Sequence, residues 1–338
     1  MALPEGHPPV RTGKVGLLLV NLGSPDAPEP GAVRRWLNEF LSDRRVVELP
    51  PLIWQPILKL FVLTRRPAKS AANYAKIWDR TANESPLKRI TRDQAEALAG
   101  AFGADVIVDW AMRYGAPAIG EGLARLRAQG CDRICLAPLY PQYCSATTGS
   151  VLDETFRQLS GQRWLPAIRT LPPYHDHPAH IAALKASVER QLAALDFVPE
   201  KILLSFHGMP RRTLDLGDPY HCQCQKTARL LREALGRQEA EMPLAFQSLF
   251  GRAEWLKPYT EPLLTELAQS GTRRVAVLMP GFSADCIETL EEIAIGAREA
   301  FLEAGGTHFA ALDCLNASDE GVAMLRALLG EALAGWIR

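Results

Sequence analysis

Six short apolar runs alternate along this chain with longer stretches whose apolar residues recur at helical spacing. The runs cover residues 15–20, 105–110, 133–137, 201–206, 274–279 and 309–312, each bounded by turn-forming residues. Residues 117–128, 178–195, 227–235 and 259–270 carry the helical pattern between them. The runs read as strands buried on both faces. Strands separated by helices require right-handed crossovers, which build parallel sheets covered on both sides. The expected class is α/β.

The chain also repeats itself weakly. Val15-Gly-Leu-Leu-Leu-Val-Asn-Leu-Gly-Ser-Pro and Ile202-Leu-Leu-Ser-Phe-His-Gly-Met-Pro share an apolar strand, a polar residue, then Gly and Pro. Arg133-Ile-Cys-Leu-Ala-Pro-Leu-Tyr-Pro resembles Arg274-Val-Ala-Val-Leu-Met-Pro-Gly-Phe in the same way. Thr147-Thr148 follows in one half and Glu288-Thr289 in the other, each leading into a helix. Two similar domains are expected, residues 1–174 and 175–338, and the length suffices for a core in each. All βαβ units look somewhat alike, so pattern alone does not separate a true repeat from that resemblance.

Charge and missing motifs narrow the function. Lys+Arg and Asp+Glu both number 38, so no basic excess points to nucleic acid as a partner. The chain has no G-x-x-x-x-G-K-[ST] phosphate loop, no G-x-G-x-x-G at a strand–helix turn and no G-x-S-x-G. Residues 1–10 are polar and Pro-rich without a signal-peptide core, and the apolar residues 49–63 are too short and interrupted to span a bilayer. A cytoplasmic protein is expected. Residues 49–66 form a Trp-bearing apolar lip ending in Arg65-Arg66, within a segment 1–70 that holds ten Lys/Arg against six Asp/Glu. Such a lip suits core burial, an apolar ligand or peripheral contact with an anionic membrane. The seven cysteines are scattered, and only Cys222 and Cys224 form a close pair, which lacks the further ligands of a zinc or iron–sulfur site.

In open parallel sheets, ligands bind beyond the carboxyl ends of the strands. That rule selects Asn21, Arg113, Tyr114, His207 and residues 280–288. His207 ends a buried run just before Gly208, where an imidazole is either structural or a proton-transfer or metal group. Asp285 suits a helix N-terminus. Glu288 and Glu292 are four apart and share one helix face, forming a carboxylate track or a solvated polar face. Glu291 is expected to point elsewhere, into solvent. One imidazole, clustered carboxylates and no nucleotide apparatus suit proton removal and metal handling.

Leu204-Ser-Phe-His-Gly-Met-Pro closely resembles the ferrochelatase signature. Val20-Asn-Leu-Gly-Ser-Pro-Asp, Phe40-Leu-Ser-Asp-Arg-Arg-Val-Val, Tyr140-Pro-Gln-Tyr, Thr147-Thr-Gly-Ser, Gly217-Asp-Pro-Tyr, Phe246-Gln-Ser and Ile287-Glu-Thr-Leu follow in family order, so the resemblance spans almost the whole chain. It implies two Rossmann-like, chelatase-like domains, parallel sheets flanked by helices, with the porphyrin in the cleft between them. It makes His207 and Glu288 the catalytic pair and the ligands of substrate Fe²⁺. It places Leu22, Tyr74, Arg113, Tyr114 and Trp255 at the porphyrin, with Glu292 extending a proton or metal path. The implied reaction is ATP-independent insertion of Fe²⁺ into protoporphyrin IX. Coproporphyrin III, sirohydrochlorin or cobalt chelation, and a non-catalytic porphyrin or haem carrier are the alternatives. Cys286 stands where some relatives have His, Cys144 falls one place from a matching position, and no Cys follows Cys314. No resident cofactor, and specifically no [2Fe–2S] cluster, is expected.

Overall fold

A computed structural model describes residues 5–337, apart from 8, 9, 11 and 252. Of the Pro-rich opening read above, residues 1–4, 8 and 9 therefore lie outside the described residues. Strands β1 (Lys14–Asn21), β2 (Val106–Met112), β3 (Cys131–Pro138) and β4 (Ala167–Thr170) form one parallel sheet in the order β2-β1-β3-β4. Strands β5 (Lys201–His207), β6 (Leu244–Gln247), β7 (Arg274–Leu278) and β8 (His308–Ala311) form a second parallel sheet in the order β6-β5-β7-β8. The two orders are the same permutation. This shared topology matches the two weak sequence repeats strand for strand, β1 with β5 and β3 with β7.

Six of the eight strands fall on the apolar runs. The other two, β4 and β6, are edge strands of four residues each. β4 is Ala-Ile-Arg-Thr and partly exposed, so it carries neither a run nor an alternation long enough to read. Prolines mark the starts of several helices: Pro30–Ser42, Pro51–Ile57, Pro86–Ala97 and Pro178–Ala193 each place one in the first turn. There the missing N–H costs nothing, because that group has no helical partner anyway.

The residues 49–66 read as a lip prove helical. Pro51–Ile57 runs through π-helical turns at Leu58–Val62 into Leu63–Ile77. This continuous helical segment divides its faces. Trp54 is buried and donates its indole N–H to the Leu41 carbonyl at 2.6 Å, while Leu52 is 92% exposed and Leu60 66% exposed.

The two sheets share one continuous core, in which Leu17 and Leu19 of β1 and Leu204 and Phe206 of β5 belong to the same buried cluster. Polar ties add direction. Gln94 donates from its amide to the carbonyls of Ser283 (3.1 Å) and Asn316 (2.9 Å), and the Ser283 hydroxyl donates to the Leu139 carbonyl at 2.7 Å. Arg169 donates to the carbonyls of Ala332 and Ala334, so the C-terminal segment returns to the first sheet. The carboxyl ends of both sheets are thereby held in a fixed relation.

One buried group opposes the fold in acid. His180 is 1% exposed, stands edge-on to Tyr174 at 5.4 Å and leaves Nδ1 without a hydrogen-bond partner. Burial pushes its pKa from 6.5 down to about 3, against a hydrogen bond to the His175 backbone, while His175 and His177 add repulsion. The unfolded chain therefore binds one more proton than the folded one between those values. Stability falls as pH drops from 6.5 toward 3, by up to roughly 4–5 kcal/mol from this residue. His180→Gln should flatten the acid side of a Tm-versus-pH curve by about one proton's worth of slope; parallel curves for variant and parent would refute the assignment.

Candidate active site

β5 ends at His207, and the next residue has almost no room. The Gly208 amide donates to the Gln247 carbonyl at 2.7 Å, and a Cβ on Gly208 would lie 2.4 Å from that oxygen and 3.2 Å from the Trp255 ring. Glycine is required there by close backbone approach. The tight turn brings the Gly208 carbonyl back to 2.6 Å from Nδ1 of His207. A carbonyl only accepts, so Nδ1 carries the proton and neutral His207 presents a bare lone pair at Nε2. The Tyr220 hydroxyl donates to the His207 carbonyl at 2.9 Å, fixing the backbone from the other side. Tyr220 belongs to the Gly217-Asp-Pro-Tyr motif, whose Asp218 accepts from the Tyr220 amide at 3.0 Å.

Beside His207 in the sheet register lies Gln247, buried at the end of β6. It accepts from the Ser205 hydroxyl (2.6 Å) and donates to the Glu288 carbonyl (2.8 Å). The next residue, Ser248, has φ +63°, a left-handed conformation that aims both its donors one way. Its amide reaches Oε1 of Glu292 at 2.6 Å and its hydroxyl reaches Oε2 at 2.5 Å. Burial raises the Glu292 pKa against those hydrogen bonds and the attraction of His207, and the charge of Glu288 raises it further. Glu292 thus senses both members of the expected pair. Gln247 and Ser248 entered the sequence reading only inside a motif, with no role assigned.

Glu288 and Glu292 lie on ten residues of π-helix, Glu288–Ala297, entered after β7. The equivalent turn after β3, Ser145–Gly149, is also π-helical. Such wide turns are uncommon and recur at functional sites. The start is anchored by Asp285, which accepts from Thr289 Oγ1 (2.9 Å) and Asn316 Nδ2 (2.5 Å). Glu288 opens into a pocket walled by Leu22, Trp36, Tyr74 and Ile287. Burial raises the Tyr74 hydroxyl and the Cys286 thiol well above their usual ranges, and the Glu288 carboxylate adds to both. Leu22, Tyr74 and Glu288 are therefore gathered at one pocket.

Arg113 and Tyr114 also follow a strand end, as expected. Their amides donate to the carbonyls of Asn21 (2.8 Å) and Leu22 (2.9 Å), zipping the exits of β1 and β2 together. Gly23, at φ +102°, allows this, since a Cβ there would lie 1.8 Å from the Tyr114 carbonyl oxygen. The side chains are engaged behind the pocket. Arg113 donates to Asp43 at 2.7 Å and Ser150 at 2.7 Å, and the fully buried Tyr114 donates to Asp43 at 2.8 Å. Burial works to raise the Asp43 carboxyl, yet hydrogen bonds from Ser150, the Arg45 amide and Tyr114, with the Arg113 charge, hold it below the usual range. Trp255 is half-buried beside Gly208, its indole donating to the Phe250 carbonyl at 2.9 Å. One expectation is overturned. Glu291 is not solvated: it accepts from Asn73 Nδ2 at 3.0 Å and Lys76 Nζ at 2.8 Å, both on the facing helix Leu63–Ile77.

The cysteines differ in exposure. Cys222 is exposed while Cys224 is buried, and burial raises Cys224, Cys286 and Cys314 well above the usual thiol range. Among the described residues, no group of three or more His, Cys, Asp or Glu could hold a resident ion.

Comparison with known proteins places this geometry. The solved structure of SirB from Bacillus subtilis with Fe3+ superposes with a TM-score of 0.59 at 12% identity, covering 96% of this chain and 97% of SirB. CbiX, described as the terminal enzyme for biosynthesis of siroheme in denitrifying bacteria, gives a TM-score of 0.52 at 15% identity, covering 94% and 100%. At these identities the likeness shows a shared chelatase-like fold. Proteins named ferrochelatase from Methylocella silvestris and Agrobacterium fabrum are each 52% identical, covering 99% of this chain and 99% and 98% of their own lengths. The family model Ferrochelatase matches residues 14–333, and with this coverage the chain belongs to the ferrochelatase family.

Proposed function

We propose that this protein inserts ferrous iron into protoporphyrin IX, the final step that gives protohaem, in the cleft between its two domains, residues 1–174 and 175–338. The observation that carries the reading is the hydrogen bond between Nδ1 of His207 and the Gly208 carbonyl, which leaves Nε2 to accept a proton, with Glu292 close enough to feel both His207 and Glu288.

Insertion requires two pyrrole N–H protons to leave as iron meets four nitrogens. His207 accepts a pyrrole proton at Nε2, and Glu288 takes part from the neighbouring pocket. Glu292, whose carboxyl is raised by burial, receives that proton and passes it away from the ring. Imidazole and carboxylate also ligate Fe²⁺ weakly enough to release it to the porphyrin. Leu22, Tyr74 and Trp255 supply apolar surface against the macrocycle, whose bending draws on binding over its faces. Arg113 and Tyr114, tied to Asp43, brace the wall behind Leu22. No resident cofactor enters this scheme.

The lip supports a second element of the proposal. Among the described residues no helix is long and apolar enough to cross a membrane. Leu52, Ile53, Leu60 and Phe61 are nonetheless more than half exposed along one continuous helical segment, with Arg65 and Arg66 just beyond. A cytoplasmic enzyme resting this surface on an anionic membrane would meet an apolar porphyrin there. The same apolar rim favours protoporphyrin over the more carboxylated coproporphyrin III.

An anaerobic assay following loss of free-porphyrin fluorescence with Fe²⁺ tests the reaction, and a panel with coproporphyrin III, sirohydrochlorin and Co²⁺ tests its specificity. A carrier would bind porphyrin and leave the iron unconsumed. His207→Ala should lower kcat by about 10²–10⁴-fold while porphyrin still binds; normal turnover would remove His207 from the chemistry. Glu288→Gln should slow insertion severely as well, and near-normal rates would make that carboxylate structural. Each buried large apolar side chain contributes about 1.5–3 kcal/mol, so Leu52→Ser/Phe61→Ser should lose at least about tenfold in affinity for anionic vesicles. Equal flotation of variant and parent would exclude the lip as the contact.

A further inference from the structure

Glu291 lies between Glu288 and Glu292 in sequence but faces the other half of the molecule. Its carboxylate takes one hydrogen bond from Asn73 and one from Lys76, which lie 218 and 215 residues earlier in the chain. Its own side chain is 16% exposed, whereas that of Lys76 is 48% exposed. A carboxylate this enclosed with two donors has a defined orientation, which a solvated glutamate on a helix surface lacks.

The position of the tie gives it meaning. Tyr74 sits between Asn73 and Lys76 on the helix Leu63–Ile77, and Tyr74 and Glu288 line the same pocket. The tie therefore joins the wall of the proposed porphyrin site to the segment that carries both carboxylates. That segment needs joining. At ten residues it is far longer than the single-turn bulges in which π-helical bonding ordinarily occurs. Asp285 anchors its start and Ser248 holds Glu292, and both belong to the C-terminal half. Glu291 fixes the same segment to the N-terminal half.

We propose that Glu291 is a positioning residue for iron insertion: through Asn73 and Lys76 it sets the π-helical segment, and with it Glu288, against the porphyrin wall. This assignment rests on the iron-insertion reading. It predicts that losing the tie lowers turnover more than it lowers porphyrin affinity, because the wall itself stays intact.

The test uses the full-length protein. Glu291→Gln removes the charge and keeps an acceptor for Asn73, and Lys76→Met removes the cation from the other side. Lys185→Met, which breaks an exposed pair with Glu189 on a different helix, serves as control. Anaerobic kcat and KM with Fe²⁺ and protoporphyrin IX, porphyrin Kd and Tm are measured for each. Both single variants should lose roughly fivefold in kcat with Kd changed less than about twofold, the scale of one partly exposed charged hydrogen bond. The double variant should be no slower than either single one, since both break the same contact. Wild-type kcat in the singles, losses that multiply in the double variant, or an equal loss in Lys185→Met would overturn the assignment. A parent protein inert toward iron would refute the insertion reading itself, and this assignment with it.

Discussion

Parallel pairing governs this molecule. When all four strands of a sheet run one way, every loop that follows a strand emerges on the same edge. Two such sheets with one permutation are joined through a common core. His207 closes β5, Gln247 closes β6 and the π-helical segment follows β7, so three consecutive exits of one sheet carry the groups to which the proposal gives the chemistry. The exits of β1 and β2 are zipped by the amides of Arg113 and Tyr114. In the proposed reaction the division of labour follows from this topology, with proton-handling groups from one half and apolar surface from the other.

Within the site, electrostatics are set by short-range geometry more than by net charge, which is zero for the whole chain. Asp43 and Glu292 show the contrast. Both carboxyls are enclosed. Asp43 receives Ser150, Tyr114 and a cation, and remains firmly ionised. Glu292 has Ser248 alone as a donor and a like charge nearby, so burial prevails. The first is held in its charged form, and burial shifts the second toward its protonated form.

Much of the fold is legible in the sequence. The apolar runs identify six strands, and the strand-end rule places His207, Arg113 and the turn before Glu288 at strand exits, because a position after a buried run is a topological fact as much as a local one. What escaped depended on partners distant in sequence. β6 is too short to announce itself, so Gln247 and Ser248 lacked a frame in which their side chains had targets. The burial of Glu291 is not legible because helical spacing describes only a segment's own surface, and its donors lie on the distant helix Leu63–Ile77. For Arg113 and Tyr114 the location was legible and the orientation was not, since Asp43 arrives from a third element.

The backbone turn after β5 has a kinetic corollary. With Nδ1 committed to the Gly208 carbonyl, the imidazole of His207 has a single working nitrogen. In the proposed reaction, a proton gained there must leave by the same atom before another can arrive. Any deprotonation that runs through this residue is thus serial, each passage through one gate followed by a reset.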